Sequence, residues 1–340
     1  MKVLRFLLFP ITIFYDLVTR VRNFLFDIGL FTSTSFKIPV IAVGNLSVGG
    51  TGKTPQIEYL IRLLKDKYKV AVLSRGYKRK TNGFVLLNTT HSADETGDEP
   101  LQYFKKFNTI SVAVDANRVN GIQQLLEQKS PEIVLLDDAF QHRKVKADYY
   151  ILLTKYNELF TDDFLLPTGN LRESSKGAKR ATLILVTKCP KNLSEKEQQK
   201  IVLKIKPNKN QKVFFTTISY ADELKGTYQV SIDELKNYNV VLVTGIANPS
   251  PLLKFLTKKN IDFKHLNFPD HHSFSKTDIN EINAEFNHIE SEKKIILTTE
   301  KDYVRLSEKI KNVSYLEIET QFLENQKEKF DTEILQFLKQ

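Results

Sequence analysis

The stretch IPVIAVGNLSVGGTGKTP, Ile38 to Pro55, decides the fold. Ile38 to Val43 is an apolar, β-branched run that gives way to a glycine-rich turn, to Gly52-Lys53-Thr54, and then to an amphipathic helix over Gln56 to Leu64. Strand, phosphate loop and helix follow one another in the order that phosphate binding needs. Gly49, Gly50 and Gly52 let backbone N–H groups approach phosphate oxygens, and the helix N-terminus adds the positive end of its dipole. Within the loop, which runs from Ser47 through Thr51 to Thr54, Lys53 reaches the β- and γ-phosphates and the Thr54 hydroxyl ligates Mg²⁺. The pattern G-x-x-x-x-G-K-[ST] asks for glycine where Ser47 stands, so the loop is a variant of the usual form. A surface turn that merely contained Lys-Thr would not need the flanking strand and helix.

Downstream, strands and helical segments alternate. Val70 to Ser74, Ile110 to Val114, Ile133 to Leu136, Tyr149 to Leu153 and Leu183 to Val186 read as strands, with a helix such as Gly121 to Gln128 between two of them. Alternation of this kind predicts an α/β fold, a doubly wound parallel sheet of the P-loop NTPase type. Ligands of such sheets sit at the carboxyl ends of the strands, where Arg75, Asp115, Asp137, Asp138 and Lys188 also fall. The Lys- and Gln-rich run from Lys196 to Lys212 reads as a boundary. After a connecting strand at Val213 to Ile218, a second, smaller α/β unit has strands at Val240 to Thr244, Ile295 to Thr299 and Ser314 to Ile318. The expected organisation is an N-terminal helix over 1–31, a phosphate-loop nucleotide-binding domain over 32–212, and a C-terminal α/β domain over 213–340 that closes over the site.

The 340 residues suit two such units. A single cysteine, Cys189, excludes an internal disulfide framework. The formal charge of +10 favours anionic partners: nucleic acid, anionic lipid or a phosphorylated substrate. Residues 1–31 are the most apolar part, yet Arg5, Thr12, Asp16, Thr19, Arg20, Asn23 and Asp27 recur at helical spacing as one polar stripe, with Pro10 expected to start or kink the helix. No run reaches the ~20 apolar residues of a spanning helix. Two readings follow: the segment docks its apolar arc on the protein's own core, or it lies in a membrane interface with Lys2, Arg5, Arg20 and Arg22 near lipid phosphates.

Ile133 to Asp138 (IVLLDD) is an apolar strand ending in two carboxylates, as needed to place an acid near Mg²⁺ beside the phosphate loop. The acidic loop DETGDE, Asp94 to Glu99, is either a solvated turn or brings Asp98 or Glu99 to substrate as base or metal ligand. Asp270-His271-His272 lacks partners at zinc-ligand spacing, so a histidine paired with a carboxylate is the better functional reading. Thr187-Lys188-Cys189-Pro190 carries proline where a GTPase would carry aspartate, which favours ATP over GTP. Val48 stands where partitioning-type ATPases carry their signature lysine.

With these residues in place, the chain resembles the tetraacyldisaccharide 4′-kinases along nearly its whole length. The matching segments are VGNLSVGGTGKTP (43–55), LSRGY (73–77), GDEP (97–100), VDANR (114–118), LLDDAFQHR (135–143), LPTGNLRE (166–173), VTGIANP (243–249), FPDHHSF (268–274) and TTEKDYVRL (298–306). The resemblance implies transfer of the ATP γ-phosphate to the 4′-hydroxyl of a tetraacyldisaccharide 1-phosphate, giving lipid IVA in lipid A biosynthesis, at the cytoplasmic face of the inner membrane. It implies ATP and Mg²⁺ as cofactors, with Lys53 and Thr54 on phosphates and metal and Asp137 and Asp138 in the metal site. Asp98 becomes the general base, with His271 paired to it to orient it and share its proton, and Glu99 lies beside them. Arg75, Arg118, Gln141, Arg172 and Glu173 are placed near phosphates or substrate. Neither nucleic acid nor an obligate protein partner is implied. The alternatives are a nucleic-acid-associated or partitioning-type ATPase, which rests only on charge and loop, and a non-catalytic nucleotide-binding membrane adaptor.

Overall fold

A computed structural model describes residues 5–339, so Lys2 lies outside the described residues. The first stretch of chain forms α1 (Phe9–Asp27), β1 (Val40–Asn45), α2 (Lys53–Leu64), β2 (Val70–Ser74), β3 (Val85–Leu86), α3 (Ala93–Thr96), α4 (Asp98–Lys106), β4 (Ser111–Val114), α5 (Arg118–Lys129), β5 (Ile133–Asp137), β6 (Tyr149–Lys155), β7 (Leu183–Thr187), α6 (Glu195–Ile205) and β8 (Lys212–Tyr220). Next come β9 (Lys225–Gly226), β10 (Asn239–Thr244), α7 (Ser250–Lys258), β11 (Phe263–Asn267), α8 (Lys276–Asn287), β12 (Lys294–Thr299), α9 (Glu300–Leu306) and β13 (Val313–Leu316). The chain ends with β14 (Ile318–Phe322) and α10 (Gln326–Phe337).

The large sheet has the order β14-β8-β7-β6-β1-β5-β2-β4-β3. Its central pairs are parallel, and only the edge pairs β14–β8 and β3–β4 are antiparallel. Strands β1, β2, β5 and β7 are buried along their whole length, as expected of parallel strands with helices on both faces. That double burial is why their sequences are unbroken apolar runs. The small sheet has the order β11-β10-β12-β13-β9, parallel except for β13–β9.

The expected boundary at residue 212 is not where the two sheets divide. Strand β8 adds to the large sheet beside β7, and α6 buries Ile201 and Ile205 in the core of that sheet, so the polar run is the wet face of a helix. At the far end, the single strand expected over Ser314 to Ile318 is two: β13 pairs with β12 in the small sheet, the buried Glu317 follows, and β14 pairs with β8 in the large one. Phe322, Phe330 and Ile334 then pack with Ile57, Leu60, Ile61 and Leu64 of α2. The small sheet is thus an excursion from the large sheet, entered after β8 and left at Glu317.

Pro10 lies in the first turn of α1, where a missing N–H costs nothing, so it starts this helix rather than kinking it. The polar stripe faces the protein. Thr12, 5% exposed, shares a 2.7 Å hydrogen bond with Thr168; the Tyr15 hydroxyl donates to the Arg172 carbonyl at 2.8 Å; and the Asn23 amide donates to Glu173 at 2.9 Å. Arg5 donates to the Pro167 carbonyl and Arg22 to that of Gln141, while Arg20 pairs with Asp16, so Arg5 and Arg22 are not turned to lipid as the sequence reading had them. Phe6, Leu7, Ile11, Phe14, Leu17, Val18, Val21 and Phe24 are exposed instead. Among the described residues the apolar arc is therefore not packed on the core, although the Phe6 and Phe9 rings touch that of Phe164.

Candidate active site

The phosphate loop leaves the carboxyl end of β1 and turns into α2 through Gly49 and Gly52, both at positive φ (96° and 90°), where a side chain would be strained. Thr187, at the end of β7, donates to the Thr51 carbonyl at 2.7 Å and pins the loop from two strands away, across β6. Lys53 Nζ lies 3.3 Å from Asn45 Oδ1 and 3.6 Å from Asp138 Oδ1.

Beside β1, β5 delivers the two carboxylates to opposite environments. Asp137 is buried, and burial raises its pKa to about 6 against the pull of Lys53. Ser74 and Tyr103 donate to its Oδ2, at 3.4 and 3.3 Å, while its buried Oδ1 has no partner. The Thr54 side chain also acts on the Tyr103 hydroxyl, so Thr54 and Asp137 share a neighbour. Asp138 sits at φ 47°, which swings its side chain out of the strand pleat. Burial alone would raise its pKa, but Lys53 and a two-pronged Arg172 contact (2.8 and 3.1 Å) hold it at about 2.

An orphaned carboxylate oxygen that shares a neighbour with a phosphate-loop threonine suits a Mg²⁺ completed by phosphate oxygens and water. Among the described residues no group of three or more His, Cys, Asp or Glu side chains could hold a metal by itself. Mg²⁺ of this kind needs none.

Asp98 opens α4 because Gly97, at φ 94°, makes a turn that only glycine fits: a Cβ there would meet the Gly76 Cα at 3.3 Å. The carboxylate is 2% exposed, its Oδ2 lies 2.8 Å from His271 Nδ1, and Arg305 donates to its Oδ1. Burial opposes ionisation, yet the hydrogen bonds from His271 and Arg305 leave the pKa below the usual carboxylate value. Asp98 belongs to the large-sheet unit, whereas His271 follows β11 and Arg305 lies on α9 of the small-sheet unit. The Tyr77 ring sits 5.5 Å from that of His271. Glu99, next in line, is close enough to act electrostatically on Asp137 and Tyr103, which ties the Asp98 corner to the phosphate loop.

The remaining residues divide. Arg75 is exposed just after β2 and is close enough to act electrostatically on Arg118. Arg118 is 3% exposed and donates to the carbonyls of Asp115 and Asp137, so it braces the strand ends rather than facing a phosphate. Gln141 and Glu173 bond each other at 3.0 Å, and Glu173 also takes Arg180 and Asn23; these two join α1 to the site's floor. His272 pairs with Asp278 at 2.9 Å, away from His271's partner.

Sequence reasoning missed Asn45, Lys155, Lys301 and Arg305. Lys155 Nζ and Lys188 Nζ would lie 3.9 Å from side chains placed at Gly49 and Gly50. Position at a strand's carboxyl end was the available signal for Lys155. Arg305 and Lys301, four apart on α9, stood inside the segment TTEKDYVRL.

Compared with known proteins, the sequence model of the tetraacyldisaccharide-1-P 4′-kinases matches residues 4–339. The chain belongs to that family. Among its curated relatives, a tetraacyldisaccharide 4′-kinase of Flavobacterium johnsoniae is 55% identical over 100% of this chain and 99% of its own length. One from Bacteroides thetaiotaomicron is 45% identical over 98% and 93%. A solved family member, LpxK from Aquifex aeolicus in complex with ATP, superposes with a TM-score of 0.80 at 34% identity, covering 98% of this chain and 99% of that one. Kinase activity, ATP with Mg²⁺, a lipid substrate and the α/β phosphate-loop architecture follow from membership. The nucleic-acid-associated ATPase is set aside.

Proposed function

We propose that the chain transfers the γ-phosphate of ATP to the 4′-hydroxyl of a tetraacyldisaccharide 1-phosphate. The observation that carries this reading is the meeting of Asp98 and His271 at the start of α4, the helix whose Tyr103 and Glu99 act on Asp137, with Asp138 in turn beside Lys53 of the phosphate loop. Lys53 stabilises charge on the β- and γ-phosphates, and Arg172 holds Asp138 ionised and aimed at the loop. Thr54 and Asp137 would hold Mg²⁺, which neutralises charge that gathers on the phosphate oxygens. Asp98 takes the hydroxyl proton as the bond from the 4′-oxygen to phosphorus forms and the bond to the ADP oxygen breaks. A carboxylate of low pKa is a weak base for a sugar hydroxyl, so the proton moves late, when a loose transition state has already formed. Arg75 and Glu99 line the acceptor side.

The small-sheet unit supplies His271 and Arg305 to Asp98 and so completes the proposed site. For lipid delivery, α1 lies at the membrane surface on the cytoplasmic face, apolar arc down. No helix among the described residues is long and apolar enough to cross a membrane, and an exposed apolar strip this long is suited to the headgroup boundary. Such an orientation brings the cleft to headgroup height while the acyl chains stay in the bilayer. The test is transfer of label from ATP to detergent-dispersed tetraacyldisaccharide 1-phosphate in the presence of Mg²⁺. Labelled lipid supports the reading; hydrolysis stimulated by DNA, with no labelled lipid, overturns it.

A further inference from the structure

Helix α9 carries Lys301 and Arg305 on one face, one turn apart, and both reach the Asp98 corner. Its start is fixed to the same turn that fixes His271. Asp302 accepts from the Gly245 N–H at 2.9 Å and from the Thr299 hydroxyl at 2.7 Å, and the His271 N–H donates to the Gly245 carbonyl at 3.1 Å. His271 and Lys301 are therefore held in register with each other.

Lys301 Nζ lies 3.1 Å from His271 Nε2 and 3.0 Å from Asp270 Oδ1. An ammonium group has donors and no acceptor, so Nε2 must accept from it. The single proton of the neutral ring is then on Nδ1, 2.8 Å from Asp98 Oδ2. A doubly protonated ring would point an N–H at the ammonium. The charged groups around the imidazole are Asp98 from α4, Asp270 beside it and Lys301 from α9; Arg305 and Asp94 stand behind Asp98.

We propose that Lys301 is a positioning residue that keeps the His271 proton on Nδ1, so that His271 serves Asp98 as a hydrogen-bond donor. This rests on the reading of Asp98 as base. It refines the expectation from resemblance that His271 shares the proton: Nδ1 already carries one, so the hydroxyl proton stays on Asp98, and the ring's task is to aim the carboxylate. Two of the roughly four lone-pair directions of that carboxylate are taken, by His271 and Arg305, which leaves room for a hydroxyl.

The full chain labelled with ¹⁵N-histidine tests this. In the wild type, His271 should show a protonated Nδ1 and an unprotonated Nε2. Lys301→Met should bring up the Nε2–H tautomer and lower kcat by about 10- to 100-fold, the scale for losing a group that orients a working histidine. Its KM for ATP should stay within about twofold, which also confirms folding. Lys301→Arg keeps a cation without an acceptor and should restore both the tautomer and most of kcat. Lys301→Met with an unchanged Nδ1–H tautomer overturns the proposal, as does an Arg variant that folds yet restores neither readout. Asp98→Asn separates the premises: wild-type kcat there would sink the base assignment, while the tautomer readout would still decide the role of Lys301.

Discussion

Helices α1 and α2 are both amphipathic, and they are mounted in opposite senses. Helix α2 turns Ile57, Leu60, Ile61 and Leu64 inward to the large sheet, whereas α1 turns Thr12, Tyr15 and Asn23 inward and leaves Phe14 and Ile13 outward, at 68% and 60% exposure. Spacing tells where a helix's stripe lies, but not which solvent the stripe meets. For α2 the apolar side meets a sheet. For α1 hydrogen bonds make the attachment, which is economical only if the apolar side has somewhere else to go.

The comparison can be sharpened first at the N-terminus of α2, where the inward mounting serves chemistry. Lys53→Ala should lower kcat by about 100-fold or more, the loss expected on removing an electrostatic stabiliser. Steady-state turnover near wild type would remove the loop from the mechanism. Next in size is the corner that α4 builds. Asp98→Ala and His271→Ala should each lower kcat by about 10-fold or more, and the double variant by much less than their product, because the pair acts as a unit. Multiplicative losses in the same assay would mean independent roles.

A direct contrast comes from truncating one leucine in each helix. Leu60→Ala, in the core, should cost about 2–5 kcal/mol in denaturant unfolding, whereas Leu17→Ala, on the outer arc of α1, should change stability by less than about 0.5 kcal/mol. Equal costs would place α1 in the core after all. A further contrast is in pH. Burial raises Asp137 to about 6, so the folded chain holds a proton there that an unfolded chain releases near pH 4. The metal-free protein should therefore lose stability as pH rises from about 4 to 6, by an amount that Asp137→Asn abolishes. Mg²⁺ affinity, read by titration, should fall in the other direction, as pH drops below about 6.

Much of this was legible in the sequence because backbone order carries it. The loop, the six strands from β1 to β7 that pair in parallel, and the Asp137-Asp138 strand end follow from apolar runs and glycines that leave the chain few alternatives. The excursion of the small sheet was not legible. Nothing local tells that β8 joins the large sheet or that Glu317 divides two strands, since both are decisions of tertiary pairing. The pairing of Asp98 with His271, 173 residues apart, came from resemblance. Lys301 was missed because a helical lysine reads as a solvated charge until its neighbour is known. Arg5 was misassigned to lipid because its partners, the carbonyls of Pro167 and Gly169 and the Asn170 side chain, belong to a loop that no spacing argument brings near.

The claim that α1 faces outward to lipid is tested most directly by Phe6, Leu7 and Phe14 changed together to Ser, with cosedimentation on anionic liposomes measured beside the Tm and the Kd for ATP. Phe14 on α1 and Phe6 and Leu7 just before it are all exposed, with only the Phe6 ring touching another, that of Phe164, so the bound fraction should fall while Tm and ATP affinity remain close to wild-type values. If Tm drops and ATP binding is lost with it, the apolar arc is part of the protein's own packing and the membrane orientation is wrong.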